Sequence, residues 1–134
     1  MGLTGKETVV VYETGFGMRA ARVGWMLDYA GAHKISLLEG GFRAWRKSHL
    51  PVENKPVKPD RKTFRIRPTS KLLATADEIR TGRSSLILDV RSEREFTGKE
   101  GRDCDKRRGR IPRARWLEWT YFLQDGKRFK TRAE

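Results

Sequence analysis

Two short β-branched runs, Val9–Tyr12 and Ile35–Leu38, flank a stretch whose apolar residues recur at helical spacing, and that order leaves few folds open. From Met18 the apolar positions fall at Ala20, Ala21, Val23, Gly24, Leu27 and Ala30, one face of a helix, and Gly31 ends it. Strands joined through a crossover helix lie parallel, and parallel strands are buried. After the second run, Gly40-Gly41 closes the strand and FRAWRKSH predicts a short helix with Phe42 and Trp45 three apart on one side. The first third of the chain therefore predicts β-α-β-α.

The character changes at Leu50. The stretch PVENKPVKPDRKTFRIRPTS, residues 51–70, holds four of the five prolines and little apolar content, and predicts an extended connector. Beyond it Thr75 can cap a helix with Glu78 three residues on, and Gly82 stops it. Leu86–Val90 predicts a third strand, Glu93–Phe96 a helical turn and Ala114–Trp119 a fourth strand, with a frayed end beyond.

The net charge of +13 bears on partners and not on fold. It is local: residues 1–50 hold seven Lys/Arg against four Asp/Glu, whereas residues 51–134 hold 23 against 13. The run from Lys99 to Arg115 is the densest part, and it could contact phosphates of a nucleic acid. It has no aromatic residue, so base stacking is not suggested. No apolar stretch is long enough to cross a membrane, and the N-terminus has no basic-then-apolar leader pattern. One cysteine, Cys104, excludes an internal disulfide framework and fits a reducing compartment, the cytoplasm. His33 and His49 stand alone, so neither a metal nor a cofactor is expected. Trp25, Trp45, Trp116 and Trp119 sit among apolar neighbours and are expected in or beside the core.

The loop between the first strand and first helix admits three readings. Gly15, Gly17 and Ala20 fit G-x-G-x-x-A, and Glu39 falls where a ribose-binding acid would, as in a dinucleotide site. Against this, the carboxylate of Glu13 would repel a phosphate. A glycine pair is also the common form of a tight βα turn. The third reading comes from a resemblance. VVVYETGFGMRAARVGWMLDYAGAHKISLLEGGFRAW resembles the back half of a rhodanese-type sulfurtransferase domain, with Leu38, Gly40, Gly41, Ala44 and Trp45 as its most specific part. LILDVRSEREFTGKE followed by RGRIPRARWLEW resembles the front half of a second such domain. There Asp89-Val90-Arg91, Phe96-x-Gly98 and Gly109-Arg110-Ile111-Pro112 match the landmarks D-x-R, E-[FY]-x-G and G-H-I-P-G-A. The histidine of the last landmark is Arg110 here, and its second glycine is Arg113.

That resemblance implies a rhodanese-like α/β fold, a parallel sheet flanked by helices. It divides the chain into residues 1–50, the back half of a non-catalytic domain; 51–70, a connector; and 71–134, the front half of a second domain. It implies transfer of a sulfane sulfur from thiosulfate or 3-mercaptopyruvate to a thiol or cyanide through a cysteine persulfide. Glu13 stands at the cysteine position of the first half, and the chain ends about where the cysteine-bearing back half of the second domain would begin. A chain of this truncated tandem kind is expected to be inactive alone. Arg94 lies where the family places a substrate-binding arginine, while Asp89 and Arg91 read as a structural pair. Cys104 reads as a surface thiol, outside any strand-loop context. The two halves could complement each other as one permuted domain, exchange between two copies, or require a missing half-domain. The competing expectation is a non-catalytic basic module for an anionic partner.

Overall fold

The computed structural model describes residues 2–15, 17–82, 86–124 and 128–133, so Phe16 of the glycine loop lies outside the described residues. The chain forms two compact units, Met1–Ala74 and Thr75–Glu134.

In the first unit, β1 (Val9–Val11), α1 (Met18–Tyr29), β2 (Ile35–Leu37) and α2 (Gly41–Lys47) follow in order. β1 and β2 are parallel, with Val9 opposite Ile35 and Val11 opposite Leu37, as a crossover connection requires. α1 lies on this sheet through its small residues. Ala20 and Gly24 are buried, and a Cβ at Gly24 would already be in contact with Leu37 and Ile35, at 3.4 and 3.5 Å. Trp25 stacks on Tyr29 one turn on, with ring centroids 5.5 Å apart. The helix ends as its glycine dictates: the Gly31 N–H donates to Asp28 O and the buried Ala32 donates to Leu27 O.

Gly40 and Gly41 open α2 in a conformation that L side chains resist, with φ of 68° and 60°. The reason is a close approach: a Cβ on Gly41 would stand 2.3 Å from the carbonyl oxygen of Glu13. That same carbonyl accepts from the Phe42 N–H at 2.9 Å. A Cβ on Gly40 would stand 2.6 Å from that of Ala44, which accounts for a small residue there. The Trp45 indole N–H donates to Pro51 O at 2.8 Å and ties the start of the connector to α2.

The second unit contains α3 (Ala76–Arg80), β3 (Leu88–Asp89), α4 (Glu93–Thr97), β4 (Arg115–Trp116), β5 (Leu123–Gln124) and β6 (Arg128–Phe129). Thr75 and Glu78 form the expected capping box on α3, and Ser92 with Glu95 forms a second on α4. β3 and β4 are parallel, and Arg115→Ile87, Leu117→Asp89 and Trp119→Val90 backbone bonds extend the ladder beyond the paired residues. The end of the chain is more ordered than the expected frayed segment. A single 3-10 turn, Trp119–Phe122, leads into the antiparallel pair β5–β6, where Leu123 is buried opposite Phe129.

Among the described residues β1 pairs with β2 and β3 with β4, in separate sheets. Both parallel sheets keep apolar side chains open, Val10 and Tyr12 in one and Leu88 and Val90 in the other, where parallel sheets are ordinarily covered on both faces. The four tryptophans are half-buried.

Arg113 takes the place of the second glycine of the landmark turn and sits at φ 68°, a left-handed conformation that costs a side chain about 1–2 kcal/mol. Arg113→Gly should therefore stabilise the second unit by about 0.5–1 kcal/mol, read as slower amide exchange at Arg115 and Leu117. Gly41→Ala should destabilise the first unit by about 3 kcal/mol or more, read as lost protection at Phe42, because strain and overlap combine there.

Candidate functional site

Chemistry concentrates where each parallel sheet ends. In the first unit, Tyr12 leaves β1 and packs on the Phe42 ring at 6.1 Å, and the chain turns through Gly15 to Gly17, the N-terminal cap of α1, at φ 91°. Gly17 has no side chain to satisfy the first amides of the helix. Glu13 does so from across the loop. One oxygen of its carboxylate accepts from the Arg19 N–H at 2.9 Å and the Ala20 N–H at 3.3 Å. The carboxylate thus sits at the positive end of the helix dipole, where an anion is held best. The site is built for an anion and holds one that the chain itself supplies. A dinucleotide pyrophosphate would need these same donors, and Glu39, the candidate ribose acid, is exposed.

In the second unit the centre is an arginine. Arg91 grips Asp89 with two guanidinium bonds, of 2.9 and 2.6 Å, and donates a third to Gly109 O at 2.8 Å. The Trp116 indole N–H donates to Arg91 O at 3.0 Å, so β3, the basic loop and β4 meet at one residue. The Arg91 hydrogen bond, opposed in part by burial, holds the Asp89 carboxyl below the usual carboxylate range. Gly98, at φ 83°, ends α4 against the backbone of Gly109, where a Cβ would stand 3.3 Å from the Gly109 nitrogen. Ile111 and Pro112 form the turn that follows, closed by the Ala114 N–H on Ile111 O. Arg110 lies over the Phe96 ring at 4.6 Å.

An open cavity of about 630 Å³ lies beside this knot, with Leu88, Val90 and Ile111 supplying apolar wall and Arg107 and Arg108 supplying charge. Arg94, on α4, is exposed and paired with Glu100 at 3.0 Å. Cys104 is exposed in the loop between Asp103 and Asp105, and Asp105 is itself engaged by Arg102 at 2.8 Å. His33 bonds Asp28 at 3.0 Å, and His49 sits at the end of α2 with φ 54°. The structure adds groups that motif spacing did not single out. Glu100 is the partner of Arg94, and Arg107 and Arg108 line the cavity. Their only sequence signal was membership of the basic loop, whereas Gly109, whose carbonyl accepts from Arg91, was already a landmark glycine.

No family profile matches the chain. Curated relatives do. A probable 3-mercaptopyruvate sulfurtransferase of Pseudomonas aeruginosa is 33% identical over 132 residues, covering 96% of this chain and 46% of the relative. The human 3-mercaptopyruvate sulfurtransferase is 31% identical over 133 residues, covering 94% of this chain and 45% of its own length. Among solved structures, an Escherichia coli protein described as having the rhodanese fold superposes with a TM-score of 0.82 at 26% identity, over 97% of this chain and 49% of that one. A probable thiosulfate sulfurtransferase superposes with a TM-score of 0.70 at 32% identity, over 87% of this chain and 47% of that one. The chain spans about half the length of the curated relatives it matches. Its α/β fold is the rhodanese fold.

The lowered Asp89 carboxyl gives its pair with Arg91 a definite pH signature. The contribution is complete above the ordinary carboxylate value of about 4 and is lost as pH falls through the lower folded value. With Arg91 partly exposed, Asp89→Asn should cost about 1–2 kcal/mol at neutral pH. Chemical denaturation followed by tryptophan fluorescence should show that loss, together with a weaker acid sensitivity below about pH 4 in the variant.

Proposed function

We propose that this chain, a homologue of the rhodanese-type sulfurtransferases, joins the back half of a non-catalytic domain, residues 1–50, to the front half of a catalytic one, residues 71–134, and transfers no sulfur by itself. The observation that carries this reading is Glu13. Sulfane sulfur transfer needs a thiolate that attacks the outer sulfur of thiosulfate, breaking its S–S bond and expelling sulfite, or the sulfur of 3-mercaptopyruvate, breaking its C–S bond and expelling pyruvate as its enolate, and that carries the sulfur as a persulfide. Backbone amides at a helix N-terminus would stabilise that sulfur anion. In this loop the amides of Arg19 and Ala20 are taken by a carboxylate, which cannot carry sulfane sulfur.

The second half supplies groups for the substrate anion. Arg94 is the proposed substrate-binding arginine, and its exposed pair with Glu100 would be exchanged for the substrate's negative charge. The open apolar faces around Val10 and Leu88 suit a complementing half-domain, or the matching half of a second copy. No cofactor enters this chemistry, and the exposed Cys104 suits a reducing, cytoplasmic setting.

The test is a sulfur-transfer assay with thiosulfate or 3-mercaptopyruvate as donor and cyanide or a thiol as acceptor. The expected rate is that of the blank, for the chain as it stands and for Cys104→Ser alike. Turnover at an enzymatic rate that survives Cys104→Ser would sink the proposal.

A further inference from the structure

The densest cationic run lies in the second unit, but part of its charge is internally engaged. Arg91 is paired with Asp89, Arg94 with Glu100 and Arg102 with Asp105, while Arg110 covers Phe96. The connector of the first unit is different. Lys55, Lys58, Arg61, Lys62, Arg65, Arg67 and Lys71 are all exposed, and Glu53 and Asp60 are the only acids between residues 51 and 74. Among the described residues none of these seven cations takes part in an ion pair.

The connector is also held in place along its length. Trp45 grips Pro51 O at 2.8 Å. Pro59 lies against Gly2 and the Phe64 ring against Gly5, where added Cβ atoms would stand 2.9 and 2.8 Å away. The Arg67 and Thr69 N–H groups donate to Ala30 O and Tyr29 O, at 2.9 and 2.8 Å, and so cap the carbonyl end of α1. Apart from Lys71, in the 3-10 turn Ser70–Leu72, the cations therefore stand on a proline-stiffened backbone outside helix and strand that is already anchored. Much of the ordering cost of binding is met before a ligand arrives. At about 3 Å per residue along an extended chain, neighbouring cations are about 3–12 Å apart, a spacing that a chain of phosphates can engage.

We propose that this connector is a binding ribbon for the phosphate backbone of duplex nucleic acid, held without reading its bases. Repeated positive charge without ion-pair partners, with Glu53 and Asp60 as the only acids, fits sequence-independent phosphate contact. A single strand would seek exposed aromatic rings for stacking, and the connector's one aromatic, Phe64, is half-buried against Gly5. A membrane surface would seek an apolar face, and the connector's most exposed apolar residues, Val57 and Ile66, are isolated from each other. The proposal uses no residue placed in sulfur transfer, so either reading can fail without the other.

The experiment is fluorescence anisotropy of a labelled random-sequence DNA duplex titrated with the full chain across a salt series. The comparison is the variant K58Q, R61Q, K62Q, R65Q. The intact chain should bind with a steep salt dependence, and the variant should bind at least about tenfold more weakly, with a log–log salt slope shallower by about 3. Circular dichroism of the two proteins should coincide, since all four side chains are exposed. The charge-conserving variant K58R, K62R should bind like the intact chain. No binding at low salt would overturn the proposal, as would a quadruple variant that binds unchanged. Tighter binding to a single strand or to phosphatidylserine vesicles than to the duplex would overturn it in favour of that partner.

Discussion

The carboxylate and carbonyl of Glu13 hold the first unit together at its busiest point. The side chain satisfies two amides of α1, and the main-chain carbonyl receives the first turn of α2 through Phe42. One residue at the end of β1 therefore sets the entry of both helices. The glycine at 41 is a consequence, because only hydrogen fits where that carbonyl approaches. What began as a question about an external anion becomes one of internal satisfaction. A helix N-terminus beneath a strand end must be closed by something negative or by water, and here a side chain of the same chain closes it through hydrogen bonds.

The second unit has its own knot of opposite sign. Arg91 binds a carboxylate and a carbonyl, and its backbone carbonyl receives Trp116, so a cation organises the loops around a short parallel pair. Each unit thus ties its strand end to neighbouring elements through one charged residue and leaves its apolar surface comparatively open. The described residues bury only Ala20, Ala32 and Leu123 as hydrophobic core, too little for a sheet that expects cover on both faces.

Local patterns carried the elements with strong chemical punctuation. The parallel pair around α1 was legible because β-branched runs, a helical stripe and a closing glycine all agreed. The Thr75–Glu78 box was legible for the same reason, being a contact between near neighbours. The contacts that shape the candidate sites were less so. Glu13 reaches six residues along the chain, Arg94 reaches Glu100 across a glycine turn, and Arg91 meets Gly109 across eighteen positions. Such pairings depend on where loops return, which periodicity does not encode. The segment after Trp119 was underestimated because its order comes from pairing Leu123 with Phe129, two residues without a strand-like run around them.

Charge follows a rule in this molecule that its total conceals. Where a charged group is needed for architecture, it is matched: Glu13 by amides, Arg91 by Asp89, Arg102 by Asp105. The connector breaks the rule. Its seven cations are unmatched although its backbone is fastened at Pro51, Pro59, Phe64 and Arg67, so the segment has been given position without neutralisation. Solubility alone would not require the fastening, since a loose chain of the same composition stays equally solvated. Connection alone would not require the charge, since prolines suffice to stiffen a linker. Fastening and unmatched charge together point to a surface that is completed from outside, by a partner that brings many negative charges along an extended line.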